Sequence, residues 1–286
     1  IVEDENDKSV SIVKDFNYNY FVRDRLTDER RTKGFALQEV TDYFRRSDIH
    51  YDAFMIFDAD NVIDNNFIEV MNDLRQTGVK VGVGYRNFTN ANHNWLTVGS
   101  AIMFDYMNQI TSRGRTYLFH KATLMGTGYY VDSDIIEDAG GWIFTGMTED
   151  IQLTTYCYYH DIYMRYYPLV FFYDEQSADY KTVHNQHLRW LTGYFERRKS
   201  LKKAGIKYEY HSSGMQDFMK FEFNFGLFPF AIFSVLSVVM GIIALVFAVL
   251  AIYQTHDQYH IGMLFGQFAY QMFMVYLVFF IPALLV

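Results

Sequence analysis

The sequence predicts an α/β domain with a mainly parallel sheet, followed by helices that cross a membrane. Strand-like apolar runs alternate with helical patterns over the first two thirds of the chain, and this alternation is typical of a parallel sheet. Charged residues then stop, because only Asp257 of all the Lys, Arg, Asp and Glu residues lies beyond Glu222. The 286-residue chain is therefore predicted to combine a water-soluble domain with an apolar C-terminal part.

The first strong strand pattern is the apolar run 53–57, which is typical of a buried strand and ends in Asp58-Ala59-Asp60. Residues i and i+2 of an extended segment point the same way, so Asp58 and Asp60 are predicted to converge on one ligand beyond the strand. Carboxylates suit Mg²⁺, which takes one or two of them and fills its other positions with water and phosphates. A simple acidic turn is the alternative interpretation.

Helices are predicted on both sides of this strand. One opens within residues 31–37, and Lys33 stands near its N-terminus, where phosphate oxygens bind readily. An ordinary surface lysine fits the same pattern equally well. Residues 67–74 repeat at helical spacing, residues 79–83 form the next strand, and residues 95–113 form another helix.

Two further segments contain glycines or acids that carry competing interpretations. Gly126-Thr127-Gly128 interrupts the pattern before Tyr129-Tyr130-Val131, and such glycines either let the backbone approach a ligand or form a tight turn. Asp132-Ser133-Asp134 repeats the Asp-x-Asp form, but apolar residues at helical spacing follow it. We therefore interpret this second acidic pair as a helix cap.

Two later motifs bring more ionisable groups. Glu149 and Asp150 begin a predicted helix, where the helix dipole favours acids for structural reasons alone. Gln186, Arg189 and Trp190 fall at i, i+3 and i+4, so they share one face of a helix. A Trp beside an Arg is unusual on a simple solvated face. The basic residues after this motif are typical of a helix that lies at a membrane surface.

Two uncharged runs close the sequence, with 33 residues in 223–255 and 26 residues in 261–286. About 20 apolar residues span a bilayer as a helix, so two transmembrane helices are predicted at about 225–254 and 261–286, with an apolar buried hairpin as the alternative. The positive-inside rule places the preceding domain in the cytoplasm, because basic residues cluster just before the first run. The cluster consists of Arg197, Arg198, Lys199, Lys202, Lys203 and Lys207.

The overall composition argues against two further classes of protein. A formal net charge of −8 disfavours a nucleic-acid partner, because binding to phosphates requires a basic surface. The single cysteine, Cys157, excludes an internal disulfide framework and suits a reducing compartment.

Three spaced motifs resemble those of the family-2 glycosyltransferases of the membrane-embedded polysaccharide synthase type, such as the bacterial cellulose, hyaluronan and poly-N-acetylglucosamine synthases. The motifs are Asp58-Ala59-Asp60, Thr148-Glu149-Asp150 and Gln186-x-x-Arg189-Trp190, and the segment 33–37 also resembles one that these enzymes carry. The likeness covers most of residues 1–200. It implies a GT-A domain over 1–183, interfacial helices over 184–222 and two transmembrane helices over 223–286, with the first strand of the family preceding Ile1.

The resemblance also implies an activity and a set of roles. It implies inverting transfer of a sugar from a UDP-sugar to a growing glycan or other acceptor at the cytoplasmic face of the cell membrane, with Mg²⁺ or Mn²⁺ as cofactor. Asp150, Glu149 and Arg189 would be the catalytic residues, and Asp60 and Asp58 would hold the metal. The implied substrate-binding residues are Asp58, Asp4, Lys33, Gly126, Thr127, Gly128, Gln186 and Trp190.

Two other functions remain open from the sequence. The same motifs suit a non-processive enzyme that transfers a single sugar to a lipid or short glycan. A non-catalytic membrane protein that only binds nucleotide-sugar is the other alternative, and the presence of both Asp150 and Arg189 counts against it.

Overall fold

The computed structural model describes residues 1–23, 30–203 and 205, together with the single positions 246, 250, 266 and 270. The chain divides into two compact units, Ile1–Glu209 and Tyr210–Val286. The predicted membrane spans at 225–254 and 261–286 lie outside the described residues, except for the four single positions. Among the residues that are described, no helix is both long enough and apolar enough to cross a bilayer.

Five strands of the first unit form one mixed sheet in the order β1-β4-β3-β5-β2. The strands are β1 (Ala53–Ile56), β2 (Val62–Ile63), β3 (Val81–Phe88), β4 (Tyr129–Asp132) and β5 (Met164–Asp174). In this described sheet, β3 and β5 pair in parallel, whereas the β1–β4, β3–β4 and β2–β5 pairs are antiparallel. The prediction of a mainly parallel sheet is therefore wrong, because β4 inserts between β1 and β3 in the opposite direction.

The helices agree well with the sequence patterns. The helix predicted to open within 31–37 is α2 (Lys33–Arg46), and the one predicted at 67–74 is α3 (Phe67–Gln76). The one predicted over 95–113 is α4 (Trp95–Tyr106) with a π-helical continuation over Met107–Gly114. The helices are α1 (Lys8–Asp15), α2 (Lys33–Arg46), α3 (Phe67–Gln76), α4 (Trp95–Tyr106), α5 (Arg115–Phe119), α6 (Ser133–Asp138), α7 (Glu149–Tyr159) and α8 (Tyr180–Lys203).

One face of the sheet packs against α3. Phe67 and Met71 of α3 are fully buried and form a cluster with Tyr130 of β4 and Phe172 of β5. Burial of each such side chain contributes on the order of 1.5–3 kcal/mol, so this cluster fixes the position of α3 on the sheet. The strand predicted at 53–57 is confirmed as β1, but its predicted burial is wrong: β1 lies at an edge of the described sheet and Ile56 is its one buried residue.

Strand direction determines where polar groups collect. β1 and β3 run the same way because both are antiparallel to β4, and β5 is parallel to β3. The carboxyl ends of these three strands therefore meet at one edge of the sheet, which is where α/β sheets bind their ligands. Asp58 follows β1, Arg86 lies near the end of β3, and Asp174 ends β5.

Candidate active site

The acidic pair after β1 lies in a turn. The backbone N–H of Asn61 donates to the carbonyl of Asp58 at 3.1 Å, which closes the turn directly after the strand. The prediction of an extended segment at this point is therefore wrong, whereas the convergence of Asp58 and Asp60 on one ligand stays a prediction. Asp58 forms an ion pair with Lys33, whereas the exposed Asp60 lines an open cleft.

Lys33 connects this turn with a second predicted segment. It is the first residue of α2, whose N-terminus is capped by the Thr32 hydroxyl as it accepts from Phe35 N–H. The Lys33 ammonium donates to the Asp58 carboxylate and, at 2.7 Å, to the carbonyl of Gly126. A cation at a helix N-terminus is well placed to meet phosphate oxygens.

The glycine loop after residue 125 brings the backbone close to Asp150. Gly126 has φ +86° and Gly128 has φ +69°, a region that favours glycine. A Cβ added at Gly128 would lie 2.1 Å from the Phe172 ring, so a side chain has no room there. A Cβ at Gly126 would lie 3.8 Å from Oδ2 of Asp150, which places this loop beside that carboxylate.

Thr127 ties the loop to the acidic turn. Its buried hydroxyl accepts from the backbone N–H of Asp58 at 3.0 Å and donates to the side-chain carbonyl of Asn61. The loop and the turn are thus held as one unit, and Lys33 spans both.

Glu149 and Asp150 form the first turn of α7, as the sequence predicts, but they differ in exposure. Glu149 is buried, and Asp150 keeps partial access to solvent. Burial raises the pKa of Asp150 to about 6, against the opposing effects of the Ile151 N–H, Lys33 and Arg86. Burial and then the charge of Asp150 raise the pKa of Glu149 to about 7, against the effect of Lys33. A carboxylate with a pKa in this range suits proton transfer near neutral pH.

The buried charge of Glu149 is expected to lower the stability of the protein above neutral pH. Its pKa rises from 4.5 to about 7 on folding, so the folded state binds more protons between these values and stability falls as pH rises through them. Glu149→Gln is therefore expected to raise the free energy of unfolding at pH 8 by about 1–3 kcal/mol, with no gain at pH 4. Urea unfolding at the two pH values measures this difference.

Glu137→Gln is the matched control for this stability prediction, because Glu137 is exposed on α6. It should show no such dependence on pH. Equal destabilisation by Glu149→Gln at both pH values would contradict the expectation.

Helix α8 packs directly against the beginning of α7. A Cβ added at Gly193 would lie 2.5 Å from the Thr148 hydroxyl oxygen, so the absence of a side chain at this position allows the close approach. Gly193 lies seven residues after Gln186, on the same face of α8. The structure thus brings the helix of the Gln-x-x-Arg-Trp motif against the Thr-Glu-Asp motif.

Gln186 and Asp60 line the same open cleft, which has a volume of about 380 Å³. The acidic turn and α8 therefore face a common space with mainly polar walls. The lining residues are Asp60, Asn90, His93, Glu175, Gln176, Ser177, Ala178 and Gln186.

Trp190 and Arg189 lie one turn further along α8. The indole of Trp190 is half-buried and packs edge-on against the Phe104 ring of α4, with 5.8 Å between the ring centroids. Arg189 is exposed. Arg189 therefore has the freedom to reach a bound ligand, while Trp190 is fixed by its neighbour.

Asp4 is not joined to this site by any contact in the described residues. Its carboxylate accepts from the backbone N–H of Asn6 at 2.7 Å in an exposed turn. The predicted role of Asp4 in nucleotide binding stays a prediction.

The second Asp-x-Asp segment begins α6, as predicted, but Asp132 makes no side-chain capping bond. Asp132 instead accepts from Arg75 Nε at 2.9 Å, and Asp134 pairs with Lys80. The predicted helix start is confirmed, but the predicted capping by these side chains is wrong, because both carboxylates form ion pairs instead.

Sequence reasoning missed two buried charges at the same sheet edge. Arg86 of β3 donates to the Asp174 carboxylate, with Nε at 3.1 Å, and Gln176 Nε2 donates to the same oxygen at 3.1 Å. Asp174 is the last residue of β5, at the same edge of the sheet at which Asp58 follows β1. The carboxyl-end rule, applied to β3 and β5 as well as β1, would have indicated both residues.

The acidic residues fit a divalent cation that is held jointly with a substrate. Among the described residues, no group of three or more His, Cys, Asp or Glu side chains is arranged to hold a metal on its own. Asp60 and Asp58 offer one or two hard oxygen ligands, and Mg²⁺ bound by so few carboxylates completes its coordination with water and phosphate oxygens. The donor set is thus suited to a metal that binds together with a diphosphate.

Comparison with known proteins identifies the family of this chain. Residues 53–284 match the model of glycosyl transferase family group 2. Over 200 residues the chain is 26% identical to a "Probable glycosyltransferase YdaM" of Bacillus subtilis (strain 168), with 67% of this chain and 46% of that protein covered. The chain thus spans about half the length of this curated relative. Because the family match covers most of the chain, including all three acidic or aromatic motifs, the protein belongs to glycosyl transferase family group 2.

Proposed function

We propose that this protein is a glycosyltransferase that moves a sugar from a UDP-sugar to a growing glycan with inversion, with a divalent metal and at the cytoplasmic face of a membrane. The observation that carries the proposal is the convergence of Lys33, the acidic turn and the glycine loop beside Asp150. Members of the family generally depend on a divalent metal. The uncharged runs at 223–255 and 261–286 support the membrane location.

Asp150 would act as the base. In an inverting transfer the acceptor hydroxyl oxygen attacks the anomeric carbon, its proton passes to Asp150, and the diphosphate leaves with the electrons of the broken bond. One base is sufficient for this single displacement, and such a base contributes on the order of 10²–10⁴-fold to the rate. The partial exposure of Asp150 and its position beside the Gly126 backbone suit contact with an acceptor.

Fixed positive charge would stabilise the leaving diphosphate. Lys33 lies at the N-terminus of α2 and Arg189 is exposed on α8, and the guanidinium fork of Arg189 is able to engage two phosphate oxygens. A divalent cation held by Asp60 with Asp58 would supply further positive charge to the diphosphate. Gln186 faces the same cleft as Asp60 and would contact the same ligand.

Trp190 would contact the acceptor sugar. An indole presents a flat apolar surface to the C–H groups of a sugar ring. The edge-on contact with Phe104 holds the indole in one orientation, so it is available without further ordering.

The transfer rate is expected to rise with pH through about 6. Asp150 accepts a proton only when it is ionised, and burial raises its pKa to about 6. Rates measured from pH 4 to 8 at constant ionic strength and saturating substrate should therefore be half-maximal near pH 6 and level above it. An acidic limb centred near 3.8, the ordinary value for Asp, would contradict this role.

Incubation of the full-length protein with a panel of labelled UDP-sugars, followed by sizing of the product, tests the proposal. Incorporation of one sugar into a long product, abolished by EDTA, is the expected result. A product extended by a single sugar would replace the processive function by the non-processive one. Binding of a UDP-sugar without any transfer would favour a non-catalytic binding protein.

A further inference from the structure

We infer that Arg86 is a positioning residue, which holds the glycine loop, the end of β5 and helix α8 in the arrangement that the base requires. Because α8 carries the Gln-x-x-Arg-Trp motif, we call it the cover helix. The inference rests on the proposed role of Asp150 as base. It concerns a residue outside the three motifs, in the part of β3 that lies beyond the strand predicted at 79–83.

The hydrogen bonds of Arg86 join the ends of β3 and β5 to the glycine loop. The residue is 8% exposed, and its Nη1 donates to the carbonyl of Met125 at 2.8 Å, directly before Gly126. Nε and Nη2 donate to the Asp174 carboxylate. A single guanidinium thus fixes the start of the loop that stands beside Asp150.

The face of the same guanidinium reaches toward the cover helix. Its central carbon lies 3.9 Å from the centroid of the Phe104 ring, a cation–π contact in a buried position. Phe104 in turn packs against Trp190 of α8 with 5.8 Å between centroids. Arg86 therefore supports Trp190 through one intermediate ring.

The surroundings of Arg86 indicate more than a stabilising ion pair. A buried ion pair is weak as a source of stability, because removing both charges from water costs about as much as their attraction returns. Oδ1 of Asp174 has no hydrogen-bond partner among the described residues, so the pair is not optimised for stability. The guanidinium instead donates to the Met125 carbonyl of the loop and, at the same time, lies over the Phe104 ring.

Arg86 also contributes to the charge environment of Asp150. The titratable and charged groups around that carboxylate are Lys33 of α2, Arg86 of β3, Tyr129 of β4 and Glu149 of α7. Lys33 and Arg86 both lower the pKa of Asp150, in opposition to its burial. Loss of the Arg86 charge is therefore expected to move the titration of Asp150 to higher pH.

Two variants of the full-length protein separate geometry from charge. Arg86→Lys keeps the charge but loses the fork, so we expect kcat to fall by about 10²-fold with the acidic limb of the pH profile unmoved. The double variant Arg86→Gln/Asp174→Asn removes both charges, and we expect a comparable loss of kcat. We also expect a shift of the acidic limb to higher pH, because Arg86, and not Asp174, is among the main charges that act on Asp150. Circular dichroism and thermal melting verify that each variant is folded.

The pair Lys121 and Asp161 provides the matched control, since Lys121 is buried and its Nζ lies 2.8 Å from the Asp161 carboxylate. Lys121→Gln/Asp161→Asn should leave both the acidic limb and kcat nearly unchanged. An equal shift in this control, or wild-type kcat in Arg86→Lys, would overturn the inference. If the Arg86→Gln/Asp174→Asn protein does not fold, kcat of Arg86→Lys decides alone.

The two proposals fail in different ways. Wild-type transfer by Asp150→Asn would overturn the proposed function. Inactive Asp150→Asn together with wild-type behaviour of both Arg86 variants would overturn only the role of Arg86.

Discussion

Replacing Asp150 by Asn is expected to lower the rate of sugar transfer by at least about 10²-fold, while UDP-sugar binding is retained. Asn keeps the size of the side chain and its place in the first turn of α7, but it cannot accept the proton of an attacking hydroxyl at neutral pH. The loss should appear in kcat, because the proton transfer occurs only in the transition state. Single-turnover transfer and equilibrium binding of the UDP-sugar, measured on the same preparation, test this.

Asp138→Asn is a suitable control for Asp150→Asn, since Asp138 is an exposed carboxylate at the end of α6. It should transfer sugar at the wild-type rate. Transfer by Asp150→Asn within a few fold of wild type would remove Asp150 from the role of base.

Replacing Asp60 by Ala is expected to abolish the metal-dependent part of UDP binding and to lower transfer by about 10²-fold or more. A divalent cation contributes several kcal/mol of charge stabilisation to a diphosphate leaving group, and about 1.4 kcal/mol corresponds to tenfold in rate. Asp60 is exposed in the cleft, so its removal should not disturb the packing of the sheet. Titration of UDP with and without Mg²⁺ measures the effect.

The second Asp-x-Asp segment supplies the control for the metal site. Asp134→Ala removes an exposed carboxylate from the same sequence pattern, and this carboxylate pairs with Lys80 in the structure. Metal-dependent UDP binding should survive this change. Wild-type UDP binding that is insensitive to EDTA would argue against a metal at Asp60.

Much of the fold follows from local patterns. The apolar run before Asp58, the helical repeat of α3 and the position of Lys33 at the start of α2 are all visible in the sequence, because burial and helix capping act over a few residues. The proximity of Lys33, Asp58 and Gly126 is not local, and only the family resemblance indicated it.

The remaining features depend on partners that are distant in the chain. The direction of β4 is set by its pairing with β1 and β3, and the alternation of strands and helices gives no information on it. The sequence gives no sign that Gly193 is required in its helix, because the residue that approaches it, Thr148, is distant in the chain. Arg86 lies beyond the strand predicted at 79–83, and its contacts are not visible in the sequence because its partners Met125 and Asp174 are 39 and 88 positions away.

The hydrogen bond from Gly128 N–H to the Ile56 carbonyl is 2.9 Å long and helps to set the register of β4 against β1. Tyr129 then lies among the acids of the candidate site, since its pKa is raised by burial and by the charges of Glu149, Asp150 and Asp58. Tyr130 points to the other face, into the cluster on α3. A slip of β4 by one position would exchange these two faces. The site is therefore assembled only in the native strand register, so a misregistered folding product would lack activity even with every motif intact.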